Sequence, residues 1–71
     1  MNQQIKMLDV VALLRELPEE GLQVGQVGTV VEIFNEHAIE VEFTDKQGRT
    51  IALLTLDPND LLVLHYEMEQ A

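Results

Sequence analysis

The sequence has no cysteine, no serine and no tryptophan. Without cysteine, no disulfide or thiolate metal site can brace the chain, a usage that fits a reducing compartment. Without serine, there is no serine nucleophile. The aromatics are Phe34, Phe43 and Tyr66 alone, too few to build a platform for stacked bases. Basic residues are almost as scarce: Lys6, Arg15, Lys46 and Arg49 stand against thirteen carboxylates, for a net charge of −9. Such a chain repels phosphate backbones and anionic membranes and draws in a basic protein. The same charge would also serve simple solubility. No apolar run approaches the roughly 20 residues of a membrane span. The opening MNQQIKM lacks the basic flank and long apolar stretch of a signal peptide. The expectation is a soluble, cytoplasmic protein.

The hydrophobic fraction of 46% is that of a globular domain. Seventy-one residues make one domain, 1–71, with a core over about 7–66 and polar ends. A chain this short buries only about 60% of the surface its unfolded form exposes, so its core is small. Five short apolar segments follow one another. DVVALL (9–14) is β-branched at its start, and Pro18 stops any helix there. LPEEGL (17–22) is a loop bracketed by Pro and Gly. The second strand, 26–34, places Val27, Thr29, Val31 and Ile33 on one face by its period of two. Residues 38–43 alternate cleanly, with Ile39, Val41 and Phe43 inward and Glu40 and Glu42 outward. TIALLTL (50–56) follows a Gly48 turn. Asp57 then caps one helical turn begun by Pro58, and LLVLHY (61–66) closes the chain. The pattern predicts an all-β, five-stranded small barrel with a single helical turn before the last strand. Gly25 is expected to turn the chain with positive φ, and Gly28 to let the second strand bend or a neighbour approach.

Inward residues must meet inward residues across antiparallel strands. That rule pairs Ile33 with Ile39, Val31 with Val41 and Thr29 with Phe43, leaving residues 35–37 as a hairpin loop. It then pairs Phe43 with Ile51 and Val41 with Leu53. On the outward face, Glu32, Glu40 and Leu54 form one row, beside Val30, Glu42 and Ala52. Glu32 opposite Glu40 is a like-charge pair, which is mildly destabilising. The functional reading is an acidic and apolar patch for a basic partner. The structural alternative is a bend in the second strand that buries Val30 and Phe34 and separates the two carboxylates.

Catalytic and cofactor chemistry finds no foothold. His37 and His65 are the only histidines, and no HxH or HExxH spacing occurs. GQVG is followed by neither GK[ST] nor a helix, so it is no phosphate loop. Asp45 and Asp57 lack the spacing of a calcium loop. No catalytic, cofactor or metal residue is assigned, and an enzyme is not expected.

GLQVGQVGTVV (21–31) resembles the Gly-x-x-Gly-x-Val pattern of SH3-like and KOW-type barrels, where a glycine-containing turn feeds a long bent strand. With DVVALL, LPEEGL, EVEF, GRTIALLTL and LLVL, the chain over about 7–66 resembles a family of small bacterial proteins of unknown function, common in cyanobacteria and SH3-like. The resemblance implies an SH3-like barrel with no assigned catalytic residues. Some members lie beside toxin-like genes, which implies an antitoxin or immunity role. The resulting expectation is a small acidic protein-interaction module, antitoxin-like or a regulator binding a basic protein partner, using Glu32, Glu40, Glu42 and Leu54 with Glu19, Glu20 and Leu22 from the first loop. The alternatives are a KOW-like nucleic-acid or translation-associated module, which the charge opposes, and a small subunit of a larger complex. A monomer and a homodimer through a barrel edge both remain open.

Overall fold

The computed structural model describes residues 4–65. Its strands are β1 (Val10–Leu13), β2 (Val27–Asn35), β3 (Ala38–Thr44), β4 (Thr50–Leu56) and β5 (Leu61–Val63). All neighbours are antiparallel, in the order β4-β3-β2-β1-β5. A 3-10 turn at Pro58–Asp60 precedes β5, its start capped by the Asp57 carboxylate accepting the Asn59 N–H at 2.8 Å. This is the expected all-β, SH3-like architecture. A second 3-10 turn, Pro18–Glu20, lies within the loop after β1. The last strand is shorter than expected: it ends at Val63, His65 lies exposed beyond it, and Tyr66 falls outside the described residues.

The core forms where inward residues line up across the sheet. Val63, Val11, Gly28, Phe43 and Ala52 make one row through all five strands. Val30, Val41 and Leu54 make the next across β2, β3 and β4, and Ile33, Ile39 and Leu56 the third. Val11, Leu13, Val30, Ile39, Val41, Phe43 and Leu61 are almost wholly buried. The first row holds together because position 28 has no side chain. A Cβ there would meet Val41 Cγ1 at 2.7 Å and the Phe43 ring at 2.9 Å. Gly25 does the other expected job, turning the chain at φ 88°.

With Gly28 inward, the alternation of β2 differs from the simple one. Gly28 pairs with Phe43, Thr29 with Glu42 and Val30 with Val41, one residue off the expected Thr29–Phe43 and Val31–Val41. A β-bulge between Val30 and Glu32 absorbs the extra residue, Val31, and restores Glu32–Glu40 and Ile33–Ile39. The bulge sits where the pairing of β2 with β1 ends: the Val30 N–H donates to the Asp9 carbonyl at 2.9 Å, and the Leu8 N–H donates at 2.8 Å to the Val30 carbonyl. Leu8 reaches that carbonyl from a left-handed conformation, φ 69°. The bend buries Val30 but not Phe34, which stays 56% exposed, and it leaves Glu32 and Glu40 directly paired. At the hairpin, β2 runs on to Asn35, opposite Ala38, so the turn is Glu36 and His37, held by the His37 N–H on Asn35 Oδ1 at 2.7 Å.

The β3–β4 register is also shifted. Phe43 pairs with Ala52, Glu42 with Leu53 and Val41 with Leu54, while Thr44 pairs with Thr50, leaving Ile51 as the extra residue. The cause is the 45–49 loop. Asp45 Oδ1 accepts the N–H groups of Gln47 and Arg49, both at 2.9 Å, and Oδ2 accepts Arg49 Nε at 2.8 Å. Gly48 completes the loop at φ 83°. This tight closure fixes Thr44 against Thr50, and the core residues of β4 can then face inward only after one residue bulges out. Leu54 and Ala52 therefore lie on the inward face, not in the outward rows expected of them. The outward pairs are Glu42–Leu53 and Glu40–Thr55.

Two tests follow from these contacts. Gly28→Val should cost about 1–3 kcal/mol or more, since overpacking forces backbone and rotamer shifts. Denaturant unfolding showing stability equal to the native chain would mean Phe43 does not lie across Gly28. Asp45 is held below its usual carboxylate range first by the Arg49 N–H; burial, the next effect, opposes this, and the Arg49 side chain and the Gln47 and Gly48 N–H groups add to the lowering. A depressed folded pKa stabilises above the unfolded value of 3.8 and the contribution is lost as pH falls through the lower folded value. Asp45→Asn should therefore be less stable than the native chain at neutral pH, and the gap should close only in acid below pH 3.8. A gap that closes near neutrality would contradict this origin.

Candidate functional site

Two surfaces receive the residues singled out in the sequence. The outer face of β3 and β2 carries Glu40, Glu42 and Glu32. Glu32 and Glu40 are directly opposite, and Glu42 lies between Thr29 and Leu53. The Glu42 carboxylate accepts a hydrogen bond from the Thr50 hydroxyl, and Glu32 folds back to accept its neighbour's N–H, from Ile33, at 3.3 Å.

The second surface is a groove between the loop after β1 and the C-terminal half of β4. Its cavity is about 230 Å³, walled by residues 15–20 on one side and Leu54, Thr55 and Leu56 on the other. The loop holds its shape for local reasons. Pro18 opens the 3-10 turn, Gly21 ends it at φ 73°, and the Gly21 N–H donates to the Pro18 carbonyl. Leu17 and Leu22 bridge the base of the turn with paired backbone bonds of 2.9 and 3.1 Å. Both leucines pack on the core, Leu22 at 2% exposure. Leu22 is thus an anchor of the loop and not a contact residue, a correction to the sequence reading. The two bridging leucines leave Glu19 and Glu20 exposed. Arg15 Nε lies 3.2 Å from Asp60 Oδ2, and the Leu14 N–H donates to the Asp60 carbonyl at 2.8 Å, so the loop is tied to the turn before β5.

The expected single patch is therefore split. Glu19, Glu20 and Leu54 converge on the groove, while Glu32, Glu40 and Glu42 lie on the outer face. The groove offers apolar surface from Leu17, Pro18, Leu54 and Leu56 beneath a rim of Glu16, Glu19 and Glu20. Its volume is below the roughly 300–1,000 Å³ of small-molecule sites and suits an inserted side chain. Arg15, the one cation in its wall, is already paired with Asp60. Arg49 is likewise engaged, by Asp45. His37 sits in the β2–β3 turn, 3.7 Å from Glu36 and 3.9 Å from Asp57, apart from the groove wall. Among the described residues, no three His, Asp or Glu side chains gather as a metal site, and no helix is long and apolar enough to cross a membrane.

Ile51 and Leu53, expected to face inward, instead stand 49% and 54% exposed on β4. The signal was present in the strand itself: TIALLTL carries no charge on either face, so whichever residues face outward must be apolar or Thr.

Residues 7–63 match a family described as a domain of unknown function, DUF4926. The chain belongs to that family. The match begins just ahead of β1 and ends on the last residue of β5, so the DUF4926 domain is the whole described sheet. No curated protein and no solved structure matches the chain.

Proposed function

We propose that this DUF4926 domain is a protein-interaction module that binds a basic protein partner at the groove between residues 15–20 and β4. The observation that carries the reading is the apolar-floored groove rimmed by Glu16, Glu19 and Glu20, in a chain of net charge −9. A lysine or arginine from a partner can lay its stem on Leu54, Leu56 and Leu17 and keep its charged head among the glutamates. The wider negative field speeds encounter with a basic surface and disfavours nucleic acid. An antitoxin-like role in a bacterial cytoplasm, capping a basic toxin or enzyme, is the biological setting that fits this chemistry. Resemblance to a family with toxin-like gene neighbours supports that setting.

The test is affinity purification from the native cell with the full chain and with a Glu19→Lys/Glu20→Lys variant. Both positions are exposed, so the variant should melt within a few degrees of the native chain. The native chain should recover a basic protein, and the variant should lose it by about tenfold or more, equivalent to ~1.4 kcal/mol. Equal recovery by the two forms, or recovery of RNA in place of protein, would overturn the proposal.

A further inference from the structure

Among the described residues, no strand pairs with the outer edge of β4. Thr50–Leu56 is a seven-residue strand at the end of the strand order, paired with β3 alone. Among the described residues, no backbone hydrogen bond reaches it from any other side. Proteins commonly blunt such an edge with a lysine, a proline, an inward charge or a covering loop, because unpaired N–H and C=O groups template a further strand. TIALLTL contains no charged residue and no proline. Its outward residues, Ile51 and Leu53, are about half exposed, and its inward residues Leu54 and Leu56 form one wall of the groove.

We propose that β4 is completed by strand addition: an extended segment of the partner, with basic residues alternating with apolar ones, pairs along Thr50–Leu56. This rests on the basic-partner reading above and adds how the partner binds. The edge supplies main-chain hydrogen bonds, and the two faces supply selectivity by the period-two alternation of a strand. On the inward side, apolar residues of the added strand extend the row of Ala52 and Leu54, leaving the groove beneath Glu19 and Glu20 to a separate basic side chain of the partner. On the outward side, Glu42 lies opposite Leu53 and Glu40 opposite Thr55, on the strand next to β4. The added strand sits about two strand spacings, roughly 10 Å, from those carboxylates. A lysine or arginine lying across Leu53 covers that gap with its stem and brings its charge to Glu42. Neither β3 nor β4 contains a basic residue to compete.

A second copy of this chain is the other occupant that could pair with the edge. It would place Glu40 and Glu42 of one copy three strand spacings, roughly 15 Å, from those of the other, and join two chains of net charge −9. Like charges across a join oppose it, and charge complementarity selects the basic segment.

The experiment uses the full chain and four capped seven-residue peptides. One alternates valine and lysine. Two are the same peptide with backbone N-methyl groups on one or the other alternate set of residues. The fourth has glutamate for lysine. Affinities come from calorimetry, and pairing from amide hydrogen exchange. The lysine peptide should bind and slow exchange within residues 50–56. One of the two N-methylated forms, the one whose blocked amides face β4, should bind about tenfold more weakly. The Leu53→Lys variant, changed at an exposed position, should weaken the lysine peptide to a similar degree and leave folding intact. If both N-methylated forms bind as well as the parent, strand addition is wrong while the basic-partner reading stands. If the glutamate peptide binds as well as the lysine one, the charge argument fails, and the proposed function fails with it. If the lysine peptide does not bind, or the chain instead self-associates with amides 50–56 protected, the proposal is overturned.

Discussion

The Phe43 ring lies across Gly28, and the rest of the barrel is arranged around that contact. Phe43 is the one aromatic among the buried core residues described, and its ring occupies the space that a side chain on β2 would otherwise fill. The contact fixes which face of β2 points inward at its start. It also aligns Val63, Val11, Gly28, Phe43 and Ala52 as one continuous row, so that β1 and β5 on one side and β3 and β4 on the other share a single core. The bulge at Val31 is its consequence. With Gly28 inward, Val30 must be inward too, and one residue has to be set aside before Glu32 can meet Glu40.

Strand positions were legible in the sequence because alternation and turn residues state them directly. AIEVEF reads as a half-buried strand without ambiguity, Asp57-Pro58 marks the start of a turn, and Gly25 and Gly28 were assigned the jobs they perform. The pairing between strands was only partly legible. Alternation gives the face of each residue relative to its own neighbours, but a bulge inverts it from that point on, and the bulges at Val31 and Ile51 have causes remote from the strand pattern. One depends on how close Phe43 comes to residue 28. The other depends on how tightly Asp45 closes the 45–49 loop. A strand such as TIALLTL, apolar on both faces, offers no alternation to reveal the slip. That is why Leu54 was expected outward and Leu53 inward, and the reverse holds.

The candidate site inherits those shifts. Turning Leu54 inward removes it from the Glu32–Glu40 row and delivers it to the groove, where Glu19 and Glu20 arrive from the loop after β1. That loop is a rigid wall for physical reasons of its own: Leu17 and Leu22 anchor its base in the core, and Arg15 ties it to Asp60. The same inversion turns Leu53 to solvent beside Glu42, on a strand that, among the described residues, pairs with β3 alone. One register change thus delivers Leu54 to the groove and sets an apolar edge beside the acidic rim that the loop supplies.

The central claim is that partner binding occurs on the β4 side, reaching Glu42 across Leu53, and not on the Glu32–Glu40 pair. Residue-resolved amide shift mapping of the labelled chain, titrated with its co-purified basic partner, tests it most directly. The account expects the largest changes at residues 16–20 and 50–56. Changes centred on Glu32 and Glu40, with the loop and β4 undisturbed, would contradict it.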